Sequence, residues 1–277
     1  MNRLSNKARG VADLRPGSGL LFLVTVLLAG CGGAATREEA PASELTIAAA
    51  ADLQFALAEL AESFRKNHPQ VHVKTVLGSS SKLYSQALNQ APFDILLSAN
   101  VEFPQRLIEQ GCGDPDSLFR YARGQIVVWV PVNLPIAVEE LGMNSLLHPS
   151  VRKIAIANPR HAPYGMAAEA AMRHYGLYEQ VHDRLVLAEN IAQAAQFVES
   201  GAADVGIIAR SLAVAPGLRD KGRYWLVPLD AYPPLEQAGV ILSRTRNRGA
   251  AEAWRNMMTG REGREILRRH GFLVSEE

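Results

Sequence analysis

Four stretches of small, neutral hydrogen-bonding residues stand where an apolar run gives way to a helical period. The first is Ala48-Ala49-Ala50-Ala51-Asp52-Leu53 and the second is Gly78-Ser79-Ser80-Ser81-Lys82. The third runs from Ala157 through Asn158, Pro159 and Tyr164 to Gly165, and the fourth is Ala188-Glu189-Asn190-Ile191-Ala192. A helix start exposes backbone N–H groups that have no partner inside the helix and carries partial positive charge, so it binds an anion without a cationic side chain. Each stretch also has a plainer use, since Asp52, Ser80 and Asn190 are all residue types that cap helices. Four together favour a binding cleft, because in an open α/β sheet such junctions gather at the carboxyl ends of the strands.

Signatures of other chemistry are missing. None of the seven His forms an H-E-x-x-H pair. There is no G-x-S-x-G elbow and no glycine-rich dinucleotide loop, and no nucleophile has an evident base. Cys112 follows Gln110-Gly111, which reads as a helix end and a turn, so a structural thiol is expected there. The net charge of +1 gives no reason to expect a nucleic-acid partner.

The elements that would position the junctions alternate along the chain. Leu45 to Ala50, Val71 to Leu77 and Phe93 to Ala99 read as strands; 53–66, 81–88 and 101–110 read as helices. The second half gives strands at 125–131, 153–157 and 204–209, and helices at 166–175, 178–185 and 192–200. Strands at 225–229 and 239–243 and helices at 250–258 and 263–270 close the chain. Short loops and nearly continuous apolar strands point to mostly parallel sheets with helices on their faces. Of the 277 residues, 48% are hydrophobic and 21% charged, the composition of a globular chain with a real core.

The amino terminus carries Arg3, Lys7, Arg9 and Arg15, then the apolar run 20–28, then Leu28-Ala29-Gly30-Cys31. The run is short for a membrane span, which needs about 20 apolar residues. It reads as a secretory signal, residues 1–30, and its last four residues resemble a bacterial lipobox, which implies cleavage before Cys31 and a lipid on that cysteine. Residues 31–44 read as a flexible tether with no packed element before Leu45.

The junction motifs, together with Ala91-Pro92-Phe93-Asp94 and Gly206-Ile207-Ile208-Ala209-Arg210-Ser211, resemble the periplasmic molybdate-binding proteins of ABC transporters over 45–273. The resemblance implies a two-lobed α/β periplasmic-binding fold with the oxyanion in the interlobe cleft. Lobe I would be 45–125 plus 232–277, and lobe II 126–231. It places the oxyanion contacts on Ala51, Asp52, Ser80, Tyr164, Asn190 and Ile191. It implies a binding protein rather than an enzyme, without a cofactor and with no metal other than the molybdenum of the bound oxyanion. The ligand would be molybdate or tungstate. The protein would sit in the periplasm or at the cell surface as a tethered monomer delivering to an inner-membrane permease. Another oxyanion (phosphate, phosphonate or sulfate), an enzyme on the same scaffold, and a sensor partner are the alternatives.

Two positions depart from the pattern. Some members place a Tyr hydroxyl where this chain has Ala209. Asp52 sets a carboxylate at a site meant for a dianion. The expectation is that the Asp52 side chain caps its own helix while its N–H faces the ligand; the alternative is that it accepts a proton from a protonated oxyanion.

Overall fold

The computed structural model describes residues 43–274, so the expected signal segment and Cys31 lie outside the described residues. Strand β1 (Ser43–Ala50) passes through a short 3-10 turn, Ala51–Leu53, into helix α1 (Gln54–Asn67). Then come β2 (Val71–Gly78), α2 (Ser80–Leu88), β3 (Ile95–Ser98), α3 (Glu102–Glu109) and β4 (Phe119–Gly124). Gln125 alone separates β4 from β5 (Ile126–Pro131). The second half continues with α4 (Val138–Leu141), β6 (Ile154–Ala157), α5 (Pro163–His174), α6 (Tyr178–Val181), β7 (Leu185–Ala188) and α7 (Ile191–Glu199). It ends with β8 (Val205–Ala209), α8 (Arg210–Ala213) and β9 (Gly222–Leu226). The chain then returns as β10 (Leu235–Ile241), α9 (Arg248–Thr259) and α10 (Arg261–Arg269).

Two five-stranded sheets result, ordered β2-β1-β3-β10-β4 and β7-β6-β8-β5-β9. Helices flank both, and this is the two-lobed α/β architecture expected. The sheets are more mixed than the sequence suggests. In the first, β1 pairs parallel with β2 and β3, but β10 pairs antiparallel with β3 and β4. In the second, β6 pairs parallel with β7 and β8, and β5 antiparallel with β8 and β9. The antiparallel members, β5 and β10, are the strands that follow each crossing between the sheets, and they enter from the opposite end.

Burial explains the local choices. Leu45, Ile47, Ala48 and Ala49 of β1 are fully buried, as befits a strand covered on both faces. Leu57, Leu60 and Phe64 recur at helical spacing on α1 and all face the core, where Phe64 meets Trp254 of α9 at 5.3 Å between ring centres. Burying each such side chain contributes about 1.5–3 kcal/mol. Cys112 sits in a turn closed by the amides of Cys112 and Gly113 on the carbonyl of Leu107, with Gly111 at φ 71°, as a helix end requires.

Several element boundaries need correction. Pairing begins at Ser43, two residues before the expected start. The expected helix over 178–185 stops at Val181, turns once, and becomes strand β7, because Leu185, Val186 and Leu187 pair in register with β6. Strand β4 is not visible as an apolar run, since Arg120 and Arg123 interrupt Phe119 and Tyr121. Strand β10 starts at Leu235 and carries a bulge between Gln237 and Ala238.

Candidate functional site

The four junctions lie at the carboxyl ends of parallel strands. Ala50 at the end of β1 is level with Gly78 at the end of β2, and Ala157 of β6 is level with Ala188 of β7. Each sheet therefore presents two helix starts side by side. The two pairs face each other. Ser81 Oγ donates to the carbonyl of His161 at 2.7 Å, and Ser211 Oγ of α8 donates to the carbonyl of Asp52 at 2.9 Å. Lys82 at the start of α2 pairs with Glu189 just before α7. Helix α7 also packs against the 51–53 turn.

All six expected contact residues fall in this region, with different local roles. Ala51, Asp52, Ser80, Tyr164 and Ile191 are buried, and Asn190 is half-buried. Ser80 is not a cap. The N-cap of α2 is Ser79, and Ser80 Oγ accepts the amide of Ala99 at 3.0 Å, which leaves the Ser80 hydroxyl proton free to donate. Ser79 Oγ is buried and has no partner among the described residues. Asn190 is a cap: its Oδ1 takes the amide of Gln193 at 3.0 Å, while Gln193 Oε1 takes the amide of Glu189 at 2.6 Å. Its side chain is spent locally, so what the junction offers is the first-turn amide of Ile191. Tyr164 is the second residue of α5, after Pro163, and its own N–H is likewise a first-turn amide. Ala209, where some relatives would place a hydroxyl, is fully buried at the start of α8.

Asp52 departs from the capping expectation. Its carboxylate does not serve as the cap of α1; it is the acceptor of a buried network spanning the two sheets. Tyr164 Oη donates to Asp52 Oδ2 at 2.8 Å, and Gln237 Nε2 donates to the same oxygen at 2.5 Å. Gln237 Nε2 also donates to Tyr164 Oη at 3.1 Å. Burial pushes the Asp52 carboxyl up to about 6, against the opposing pull of Gln237, Tyr164 and the amides of Asp52 and Leu53. Burial, and then the nearby Asp52 charge, hold the Tyr164 and Tyr121 phenols well above their usual range. Gly124 makes room for the network, because a Cβ there would fall 2.3 Å from Tyr164 Oη.

Gln237, Ser211 and Gly124 are the members that sequence reading misses. Gln237 lies in a strand of ordinary composition, and only the bulge beside it re-aims the side chain. An open cavity of about 520 Å³, lined by Arg120, Arg123, Glu236 and Arg264 among others, contains none of the junction residues. Buried convergent donors are the better guide, since that cavity is an open surface hollow. No group of three or more His, Cys, Asp or Glu among the described residues could hold a metal ion.

Comparison with known proteins gives the fold and the family. The chain is 33% identical over 235 residues to the molybdate-binding protein ModA of Rhodobacter capsulatus, covering 85% of this chain and 90% of that one. It is 33% identical over 251 residues to ModA of Azotobacter vinelandii, covering 91% and 98%. The solved structure of the Azotobacter vinelandii periplasmic molybdate-binding protein superposes with a TM-score of 0.77 at 31% identity, over 84% of this chain and all of that one. Residues 45–273 match the bacterial extracellular solute-binding proteins, and the chain belongs to that family.

Proposed function

We propose that this chain captures molybdate, or tungstate, outside the cytoplasm and delivers it to an ABC permease. The observation that carries the reading is the convergence of four helix starts on one buried place with hydroxyls but no cationic side chain among the expected contacts. Molybdate is fully ionised near neutral pH and needs only donors. First-turn amides and the Ser80 hydroxyl supply donors and fixed partial charge for such a dianion. Two relatives named for molybdate binding cover nearly the whole domain, which supports the same ligand.

In this reading the contacts are the amides of Ala51, Asp52, Tyr164 and Ile191 and the hydroxyl of Ser80, with Asn190 holding the α7 start in place. The lobes are 45–125 with 232–277, and 126–231, matching the membership of the two sheets. The chain is cut before Cys31, tethered there by lipid at the inner or outer membrane, and acts as a monomer without catalysis. A calorimetric panel of molybdate, tungstate, sulfate and phosphate tests the assignment. Molybdate and tungstate should bind and sulfate should be weak; a protein that ignores molybdate and takes phosphate overturns it.

A further inference from the structure

The side-chain donors around Asp52 do not suffice for the side-chain acceptors there. Gln237 Nε2 has two hydrogens, one directed to Asp52 Oδ2 and one to Tyr164 Oη. The Tyr164 hydroxyl proton goes to the same Oδ2. All three side-chain hydrogens are used, and Asp52 Oδ1 and Gln237 Oε1 are buried without a partner of good hydrogen-bond geometry among the described residues; the amides of Asp52 and Leu53 act on the carboxyl only from a poorer geometry. Asp52 is 1% exposed and Gln237 0%. Leaving such groups unsatisfied is costly. The two oxygens belong to a carboxyl and a primary amide already joined by one N–H···O bond. A single proton on Asp52 Oδ1 turns that oxygen from an acceptor into a donor, and Gln237 Oε1 is an acceptor that lacks one.

We propose that Asp52 binds a proton in this pair with Gln237, and that capture of an oxyanion therefore carries a proton into the site. The oxyanion half of the proposal rests on the function proposed above. No covalent bond is made or broken beyond the O–H; the proton comes from solvent and returns there on release.

The surroundings favour the acid form. The titratable groups facing Asp52 are Tyr164 from α5 and Tyr121 from β4, both neutral phenols at physiological pH. Tyr232 lies beyond Tyr164. Two cations on neighbouring elements act on other groups. Arg210 at the start of α8 donates to Gln125 Oε1, and Arg123 of β4 acts on Tyr232. The leading influences on the Asp52 carboxyl are burial, the Gln237 and Tyr164 side chains and the Asp52 and Leu53 amides, with no cationic side chain among them. Burial alone already moves the carboxyl upward, and a dianion bound next to it moves it in the same direction. Asp52 follows β1 and Gln237 is on β10, so both members of the pair belong to one sheet, and Tyr164 reaches them from the other.

The test uses the exported chain and its D52N variant. Molybdate is titrated calorimetrically in two buffers of different ionisation heat. The wild type should take up close to one proton per ion above neutral pH, and its Kd should rise about tenfold per pH unit there. D52N should show no uptake and a pH-flat Kd, because its amide N–H supplies the missing donor to Gln237 Oε1 at every pH. Molybdate binding without proton uptake in the wild type overturns the proposal. If molybdate does not bind at all, the functional assignment fails and the Asp52 pair is decided separately. Isotope-edited infrared spectra of the ligand-free protein, wild type minus D52N, then report the carboxyl directly. A carboxylic-acid band persisting above the ordinary carboxylate range supports the pair, and its loss within that range overturns it.

Discussion

Two sets of contacts join the facing ends of the sheets, and they differ in everything but span. The inner set is Asp52, Tyr164, Gln237 and Ser211, all buried. The rim set is the Lys82–Glu189 ion pair, with side chains 54% and 49% exposed, and Ser81 on the His161 carbonyl. An exposed pair gains little because water and salt compete for both ends. A buried network gains little from any one bond, yet losing one member strands the others away from water. Closure should therefore be tuned at the rim and made conditional in the interior.

Substitution at Gly124 should break the inner set most completely. In Gly124→Ala the new Cβ cannot coexist with Tyr164 Oη at 2.3 Å. Overpacking of about 1–3 kcal/mol adds to a lost hydrogen bond to a charged group of about 1.5–3 kcal/mol. A loss of roughly 3–5 kcal/mol is expected in urea unfolding at neutral pH; a loss below 1 kcal/mol would show that the inner set has the tolerance of the rim.

Asp52→Asn should act in the opposite direction. The carboxyl sits at about 6 in the folded protein against 3.8 for the ordinary group. Between those values the folded chain binds more protons than the unfolded chain, so this group's contribution is full below about pH 4 and is lost as pH rises through about 6. The wild type then carries a penalty of about 3 kcal/mol at pH 7 that the variant lacks. Chemical unfolding across pH should show D52N more stable at neutral pH and level with the wild type near pH 4. A constant difference would mean that Asp52 does not titrate as described.

Ser80→Ala sharpens the comparison on the ligand side. Ser80→Ala removes the acceptor of the buried Ala99 amide as well as a donor to the ligand, so the free protein should lose about 1–3 kcal/mol of stability and molybdate affinity should fall by a similar amount in calorimetry. Loss of stability with unchanged affinity would return Ser80 to a structural role. The smallest effect belongs to the rim. Lys82→Ala should weaken binding by less than about 1 kcal/mol, and the difference should vanish at high salt. A larger, salt-independent loss would put Lys82 among the buried determinants.

The alternation of strand and helix was legible because it follows from periodicity. So were the junctions, because small polar residues before a helical period have few other uses. Asp52 stood out as a charge in the wrong company. What it meets was not legible. Gln237 reaches it only because a bulge in β10 turns the side chain, and bulges leave no period. Strand β4 was hidden by its two arginines, and β7 by a helical period that Leu185 and Val186 continue. Among Ser79, Ser80 and Ser81, all three types suit a cap, and only backbone geometry assigns it to Ser79.

The single residue between β4 and β5 has a mechanical consequence. Gln125 is buried, its carbonyl takes the Arg210 amide at 2.9 Å, and its side chain takes the Arg210 guanidinium at 2.8 Å. The return crossing, residues 227–234, contains Pro228, Pro233 and Pro234, whose φ angles are fixed. The crossings are stitched together where Val227 N donates to the Ile126 carbonyl at 3.1 Å and Ile126 N to Tyr232 Oη at 3.4 Å. Few torsions are left to absorb a rotation of one sheet against the other. Such a jaw swings about one narrow axis, and the amides of Gln125, Ile126 and Val227 are where microsecond-to-millisecond exchange broadening would concentrate.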